Sequence, residues 1–212
     1  MARHNPFEAG VDAARAYDAW FARHPAIFDA ETACLARCFE QDRRSVEIGA
    51  GTGVFARRLG IGLGVEPAEA MARLCREKGV PVVRGAAEAL PLASGAFGQA
   101  AMITVECFLE DVGRAFAEAG RILEAQGVFV LAFLNRDTPL GRAYELRSAD
   151  DPVYRFARFR TAAELKAQLE AQGFRVVAAC QTVADFGDSV HEVHDGTGSG
   201  IFTVFKAIKA CR

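Results

Sequence analysis

The sequence predicts an α/β domain built around a doubly wound, mostly parallel sheet with helices on both faces. From residue 45 onward, short apolar segments alternate with segments of helical length, which is the pattern of strand-helix-strand units. Residues 128–134 are apolar nearly throughout, as expected of a strand that is buried on both faces. A chain of 212 residues is long enough for one such domain, and we predict a single domain over residues 1–212.

The composition gives no sign of a nucleic-acid or membrane partner. The formal net charge is −2, and charged residues make up 25% of the chain. The longest apolar run, residues 128–134, is far shorter than the roughly 20 residues that a membrane helix needs. The first ten residues lack the apolar run of a signal peptide. We therefore expect a cytoplasmic protein that acts on a small molecule, with an oligomeric state that the sequence leaves open.

The N-terminal segment predicts two helices. Residues 12–40 contain no glycine, and their aromatic residues recur at roughly helical spacing. Pro25 divides this segment, and the two helices are predicted to form a helical lid within residues 1–42. Cys34 and Cys38 lie four residues apart and share one helix face. A metal or arsenic site is the alternative there, but reduced, buried thiols are the default in a cytoplasmic protein.

Strands and helices then alternate. Seven strands are predicted, at residues 45–49, 62–66, 80–84, 99–105, 128–134, 175–183 and 201–208. The helices are expected at residues 53–59, 67–78, 112–123 and 161–172. Pro67 suits the first position of its helix, while Thr161 and Glu164 form a capping box. The cofactor-binding core covers residues 43–134, a less periodic cap insertion follows at 135–160, and the last helix and strands occupy 161–212.

The turn after the first strand carries the clearest functional signal. It reads Gly49-Ala50-Gly51-Thr52-Gly53, at the edge of the sheet where parallel α/β domains bind ligands. Dinucleotide sites use the spacing Gly-x-Gly-x-x-Gly instead. Glu47 is a poor neighbour for a pyrophosphate, since like charges near 4 Å cost on the order of 4 kcal/mol at a surface-like dielectric. It suits a cationic ligand, and Glu66, ending the second strand, suits ribose hydroxyls.

A third element follows the third strand. Residues 85–92 read Gly-Ala-Ala-Glu-Ala-Leu-Pro-Leu. Together with residues 46–53 and Glu66, this closely resembles the class I S-adenosylmethionine-dependent methyltransferases that carry a Gly-Asp-Ala-Glu-x-Leu-Pro-Phe element. The resemblance extends over roughly residues 17–209. It implies a Rossmann-like, doubly wound sheet of seven strands with an antiparallel last strand, and S-adenosylmethionine as cofactor.

The resemblance also implies roles for individual residues. Backbone of the glycine loop would contact the methionine moiety and ribose, and the end of the fourth strand would face the substrate. The implied cofactor-binding residues are Glu47, Gly49, Ala50, Gly51, Glu66, Pro67, Met71, Ala86, Ala87, Glu88, Thr104 and Val105. Glu47 would lie near the methionine moiety, and Pro67 and Met71 would flank the adenine. Ala87 would present its backbone amide to the adenine ring.

Two positions depart from the family pattern. Ala86 stands where the family often has an Asp that accepts a hydrogen bond from the adenine amino group, so Glu88 or a backbone carbonyl is expected to replace that contact. The common Phe-Asp before the fourth strand is Phe97-Gly98 here. Both departures are compatible with weaker cofactor binding, and a non-catalytic relative is therefore an alternative.

Candidate substrate residues surround the expected position of the methyl group. They are Tyr17 and Trp20 in the lid, Glu106, Cys107 and Phe108 after the fourth strand, and Tyr144, Tyr154, Arg155, Phe156, Arg158 and Phe159 in the cap. Simple packing is the alternative for each of them. His191 and His194 lie three residues apart and would share a helical turn, as a general base or, less favoured, as metal ligands. We expect no metal.

The sequence thus predicts methyl transfer from S-adenosylmethionine to an unidentified small molecule by direct in-line displacement. Such a reaction depends mainly on holding the two reactants in line, so no catalytic residue is assigned. The alternatives are a non-catalytic, cofactor-binding or regulatory relative and, less favoured because of Glu47 and the loop spacing, a nicotinamide-dependent oxidoreductase.

Overall fold

The central element of the protein is one twisted sheet. The computed structural model describes residues 10–151, 153–187 and 190–210. Eight strands are found among these residues: β1 (Ser45–Ile48), β2 (Gly64–Val65), β3 (Val82–Val83), β4 (Phe97–Ile103), β5 (Leu123–Leu134), β6 (Phe174–Thr182), β7 (His194–Asp195) and β8 (Phe202–Lys209). Their order across the sheet is β3-β2-β1-β4-β5-β8-β6-β7.

The strand directions confirm the predicted architecture. The first five strands pair in parallel, and β8 is antiparallel to β5 and to β6. All seven predicted strands are present, and a short eighth strand, β7, pairs with Gln181 and Cys180 at the edge. His194 therefore lies in a strand and does not share a helical turn with His191.

Helices cover both faces of the sheet. They are α1 (Val11–Arg23), α2 (Pro25–Cys38), α3 (Val54–Leu59), α4 (Glu69–Glu77), α5 (Val112–Ile122), α6 (Pro139–Arg147) and α7 (Ala162–Ala171). On one face, α5 and α7 pack over the sheet through a core that includes Phe116, Phe129 and Leu165. On the other face, α2 and α3 pack through a second core that includes Leu35 and Phe55.

Only the first of the two N-terminal helices lies at the glycine loop. The chain divides at Pro25 as predicted, but α2 is part of the core and packs against β6 and β8. The Cys34 sulfur lies 2.8 Å from the Cys180 sulfur of β6, and the Cys38 sulfur lies 3.9 Å from it. The five cysteines among the described residues are free and buried, so they serve as packing groups. The sixth, Cys211, lies outside the described residues.

No helix among the described residues is long and apolar enough to cross a membrane. No group of three or more His, Cys, Asp or Glu side chains there is arranged to hold a metal ion.

The start of α4 differs from the prediction. Pro67 was expected at the first helical position, but the helix begins at Glu69 and Ala68 precedes it in an extended conformation. The physical reason is Glu66, whose Oε1 accepts a hydrogen bond from the Ala68 N–H at 2.8 Å and holds this segment outside the helix. The predicted capping box of Thr161 and Glu164 is present at the start of α7.

The cap insertion is more regular than expected. It contains α6 and two short 3₁₀ helices, Ser148–Asp150 and Tyr154–Phe156. Two hydrogen bonds tie it to the segment that follows β4. The Arg158 N–H donates to the Cys107 carbonyl at 2.8 Å, and the Arg160 guanidinium donates to the Glu106 carbonyl at 2.7 Å. The cap is therefore anchored where the substrate was expected.

Candidate functional site

A cavity of about 900 Å³ opens at the carboxyl ends of the parallel strands. It extends from the glycine loop, past the end of β4, to the cap. The predicted residues that line it are Tyr17, Gly49, Gly51, Glu66, Pro67, Met71, Ala86, Ala87, Glu88, Thr104, Val105 and Phe108. Four of the cap residues also line it, namely Tyr154, Arg155, Phe156 and Arg158. Residues far apart in the sequence thus converge on one site.

The remaining predicted residues lie next to the cavity or away from it. Glu47 and Ala50 are buried beneath the loop. Trp20 packs against Phe21 and stacks on His24. The buried Glu106 and Cys107 do not line the cavity either.

Some lining residues were missed by the sequence analysis. They are Ile103, Leu109, Glu110, Asp111, Arg114 and Ala157. A signal was available for Asp111, because its carboxylate caps α5 by accepting the Arg114 N–H at 2.9 Å. Asp111 lies in the connection between a central parallel strand and the helix that follows it. Such connections lie at the edge of the sheet where parallel α/β domains bind ligands.

Two glycines of the loop are required by its geometry. Gly49 and Gly51 have φ values of +74° and +53°, in the left-handed region that favours glycine. A Cβ on Gly49 would lie 2.5 Å from the Val105 Cγ2, so β4 could not approach this closely. A Cβ on Gly51 would meet only the Tyr17 ring, at 3.8 Å. The Gly51 backbone therefore faces open space beneath Tyr17, where a ligand can contact it.

Glu66 connects this loop to α4. Its Oε2 accepts the Gly51 N–H at 2.9 Å and its Oε1 accepts the Ala68 N–H at 2.8 Å. Burial raises the pKa of Glu66, and these two backbone donors oppose that effect. Each carboxylate oxygen has a second lone pair. Glu66 can therefore accept ribose hydroxyls while it holds the loop.

Glu47 is an incompletely satisfied acid beneath the loop. It is 2% exposed, and its Oε2 has no hydrogen-bond partner among the described residues. Burial raises the pKa of Glu47 to about 8, although the backbone N–H of Ala56 opposes the shift. A buried carboxyl that lacks a partner fits a cationic ligand. This agrees with the ammonium and sulfonium groups of S-adenosylmethionine.

Thr104 is held in a strained conformation at the end of β4. Its φ is +52°, which is rare for a β-branched residue. The backbone N–H of Thr104 donates to the Ala132 carbonyl at 2.8 Å, which fixes this conformation against β5. Thr104 also lines the cavity. Strained residues of this kind concentrate at functional sites.

The element at residues 85–92 is held by one ion pair of α5. The Arg121 guanidinium donates to the Leu90 and Leu92 carbonyls at 3.0 and 2.8 Å. Glu118 binds Arg121 at 2.7 Å and accepts the Leu90 N–H at 2.8 Å. These contacts place the adjacent residues 86–88 in the cavity wall. Glu88 is therefore the acidic side chain available where Ala86 supplies none.

The side of the cavity formed by the cap is aromatic. The ring centroid of Tyr154 lies 5.8 Å from that of Phe108, 5.5 Å from that of Tyr144 and 6.0 Å from that of Phe159. Of these rings, Phe108 and Tyr154 line the cavity. The other two pack behind Tyr154. The cap thus supplies a rigid aromatic wall opposite the glycine loop.

Two further carboxyls are buried close to this wall. Glu31 of α2 is 8% exposed, and burial raises its pKa to about 8. Burial raises the pKa values of Tyr17, Tyr144 and Tyr154 most, and the charge of Glu31 adds to the shift in each. Glu106 is fully buried and neither carboxylate oxygen has a partner among the described residues. Burial raises the pKa of Glu106 to about 7, opposed in part by Arg160.

Comparisons with known proteins agree with this geometry. A family model described as a methyltransferase domain matches residues 46–131. The chain is 36% identical to a solved SAM-dependent methyltransferase from Thermotoga maritima, described as a possible histamine N-methyltransferase. The TM-score is 0.90, and the alignment covers 96% of this chain and 98% of that one.

Two curated relatives extend the comparison. An uncharacterized protein of Mycobacterium tuberculosis is 40% identical over 91% of this chain and 70% of its own length. The malonyl-[acyl-carrier protein] O-methyltransferase of Geobacter sulfurreducens is 32% identical over 82% of this chain and 70% of its own length.

Replacing Glu66 tests the cofactor end of the cavity. We expect Glu66→Ala to weaken the binding of S-adenosylmethionine by roughly 1.5–3 kcal/mol, the range for hydrogen bonds to a charged group. Isothermal titration calorimetry measures the change. Glu69→Ala is the matched control, because this exposed acid of α4 pairs with Arg76 and Arg84 and does not line the cavity. An unchanged dissociation constant in Glu66→Ala would contradict the ribose assignment.

The buried Glu106 predicts an unusual pH dependence of stability. Its pKa is about 7 in the folded protein against 4.5 for the free side chain, so the folded state keeps a proton that the unfolded state loses. The free energy of unfolding should therefore fall as the pH rises from about 4.5 to 7. We expect Glu106→Gln to be more stable than the unchanged protein at pH 8, by on the order of 2 kcal/mol, with a smaller difference at pH 5.

Urea denaturation at the two pH values checks this prediction. Glu118→Gln is a control of opposite sign, because Arg121 lowers the pKa of Glu118. Ionised Glu118 adds to the free energy of unfolding above its unfolded pKa, and this contribution is lost as the pH falls. Glu118→Gln should therefore be less stable than the unchanged protein at pH 8. Equal pH profiles for Glu106→Gln and the unchanged protein would show that Glu106 is not held protonated.

Proposed function

Because the chain belongs to the S-adenosylmethionine-dependent methyltransferases, we propose that it transfers a methyl group from that cofactor to a nitrogen of a small aromatic amine. The observation that carries this proposal is the single cavity that joins the glycine loop to the aromatic wall of the cap. A cofactor bound at the loop and an acceptor bound at the wall would share this space.

The cofactor end has groups for each part of the cofactor. When bound, S-adenosylmethionine supplies a methyl group on a positively charged sulfur. Glu47, buried beneath the loop, supplies negative charge close to the ammonium without lining the cavity, Glu66 accepts hydrogen bonds from the ribose, and Glu88 lies near the adenine end. The end of β4, at Thr104 and Val105, separates this part of the cavity from the acceptor wall.

The residues need to position the reactants and not to activate them. The departing sulfur becomes neutral, so no acid is required to assist it. The attacking atom would be an unprotonated ring nitrogen, which forms its bond to the methyl carbon as the carbon–sulfur bond breaks, and the methylated ring then loses its N–H proton to water. Holding this nitrogen and the methyl carbon in line and about 3–3.5 Å apart supplies much of the rate enhancement. Strained Thr104 and the packed rings of Phe108 and Tyr154 are suited to positioning the reactants, because none of these residues can move without disturbing its neighbours.

The acceptor wall favours a positively charged amine. Aromatic rings attract cations through their electron-rich faces, and Phe108 and Tyr154 present such rings. Glu31 does not itself line the cavity, but its carboxylate lies near Tyr17 and Tyr154 and has no ion-pair partner among the described residues. The name of the Thermotoga maritima relative, a possible histamine N-methyltransferase, supports the same choice.

The outer end of the cavity carries a different charge. Arg114, Arg155 and Arg158 are exposed there, and none forms an ion pair with a side chain among the described residues. Glu110 and Asp111 line the same region. An acceptor that carries a carboxylate in addition to its amine would place the carboxylate near these arginines.

Three related imidazoles test the proposal. Histamine has only the ammonium, imidazolepropionate has only a carboxylate, and histidine has both. Formation of S-adenosylhomocysteine is measured for each. We expect histamine and histidine to be methylated, and imidazolepropionate to react at least tenfold more slowly. In Glu31→Gln, the KM for histamine should rise about two- to threefold at pH 9, where Glu31 is ionised, since Glu31 does not line the cavity and its charge acts on the bound ammonium only at a distance.

Asp29→Asn is the control, because Asp29 lies on the same helix and pairs with Arg58 at the surface. Methylation of imidazolepropionate at the rate of histamine would contradict recognition of the amine. Binding of S-adenosylmethionine without turnover of any acceptor tested would favour a non-catalytic relative. Absence of cofactor binding would contradict the whole proposal.

A further inference from the structure

We propose that Asp18 and Lys78 are positioning residues that hold α1 closed over the glycine loop, and that their ion pair limits the rate at which S-adenosylhomocysteine leaves. This inference rests on the proposed function, because it concerns product release from that site. Its basis is a three-way contact between α1, the loop and the C-terminal end of α4. We call this contact the lid latch, and it consists of Asp18, Thr52 and Lys78.

The hydrogen bonds of the lid latch form a closed triangle. The Lys78 ammonium donates to Oδ2 of Asp18 at 2.5 Å and to the Thr52 carbonyl at 3.0 Å. The Thr52 hydroxyl donates to Oδ1 of Asp18. Both oxygens of the Asp18 carboxylate are thus used, and the loop residue Thr52 is held through its backbone and its side chain.

The lid latch is largely shielded from water. Thr52 is fully buried, and the side chains of Lys78 and Asp18 are only 22% and 27% exposed. By contrast, the side chains of the pair between Arg58 of α3 and Asp29 of α2 are 54% and 63% exposed. Exposed ion pairs contribute little to stability, whereas charged hydrogen bonds that are shielded from water contribute more. The latch is therefore the strong polar contact between α1 and the rest of the site.

The latch acts directly on the part of the lid that covers the cavity. Tyr17 precedes Asp18, lines the cavity and places its ring over Gly51. Thr52 follows Gly51. The latch therefore joins Asp18, which follows Tyr17, to Thr52, which follows Gly51. Tyr17 cannot move away from Gly51 together with α1 unless the latch breaks.

The apolar contact that accompanies the latch is small. Around Tyr17 it consists of Ala14 packed against Ala68, Met71 and Leu74, with Ala70 beside them. At the C-terminal end of α1, Trp20 and Phe21 pack against the larger core, where the Phe21 ring contacts the rings of Phe28 and Phe55. The apolar contact alone would thus hold the C-terminal end of α1 more firmly than its Tyr17 end, so the latch should decide how often the Tyr17 end opens. Met71 also lines the cavity, so opening α1 exposes the ligand.

The rate of product release tests the inference. Trp20 is the single tryptophan of the chain and lies on α1, so its fluorescence in a stopped-flow instrument reports on the lid. Release of S-adenosylhomocysteine is followed after mixing with excess S-adenosylmethionine. We expect Asp18→Asn and Lys78→Met each to accelerate release about tenfold, since each loses a charged contact.

Two further comparisons separate the latch from a general loss of stability. Thr52→Ser keeps the hydroxyl and should release the product at the unchanged rate, as should the surface control Asp29→Asn. The double variant Asp18→Asn/Lys78→Met should be no faster than either single variant, because the two residues act as one contact.

The outcomes distinguish the two proposals. Release rates within twofold of the unchanged protein in both Asp18→Asn and Lys78→Met would overturn the latch and leave the proposed function intact. If one of these variants does not fold, the other decides. If the unchanged protein binds neither S-adenosylmethionine nor S-adenosylhomocysteine, the proposed function fails and the latch with it.

Discussion

The site depends on the carboxylate of Glu66. Through one side chain, the Gly51 amide of the glycine loop and the Ala68 amide before α4 are held at a fixed separation. The start of the loop is tied to β2 separately, because the Gly49 and Ala50 N–H groups donate to the Val65 carbonyl at 2.8 and 3.0 Å. Glu66 adds the contact that fixes Gly51 to the turn after β2. The same carboxylate also delays the start of α4, which leaves Pro67 and Met71 on the cavity wall. The Glu66 carboxylate therefore helps to fix the shape of the glycine loop and the residue at which α4 begins, and it is also the expected ribose contact.

The site contains buried acids that lack basic partners among the described residues. Glu47, Glu66 and Asp18 surround Tyr17, and the charges of all three contribute to its raised pKa, which burial raises most. Of these acids, only Asp18 pairs with a basic side chain. Uncompensated buried acids reduce the stability of the folded protein. A cationic ligand would remove much of that cost, so the arrangement favours binding at the expense of stability.

Local sequence signals accounted for much of the fold. The alternating apolar segments, Pro25 and the capping box of Thr161 and Glu164 act within a few residues, and each predicted its element. The lid latch gave no such signal, because Asp18 and Lys78 are 60 residues apart and either could equally be a surface charge. The position of Glu31 was also not predictable, since its environment is made by rings from the cap. The departure at Gly98 has a local cause, because Arg43 packs where a side chain would otherwise lie.

The position of α2 has a consequence for how the protein is made. This helix is synthesised well before β6 and β8, with which it makes most of its contacts to the sheet. Leu35, Cys34 and Cys38 therefore lack much of the sheet face that they cover until β6 and β8 have formed. Segments far apart in the sequence that depend on each other in this way fold as one cooperative unit. Removing α2, or removing β6 and β8, would leave an uncovered apolar surface on the other.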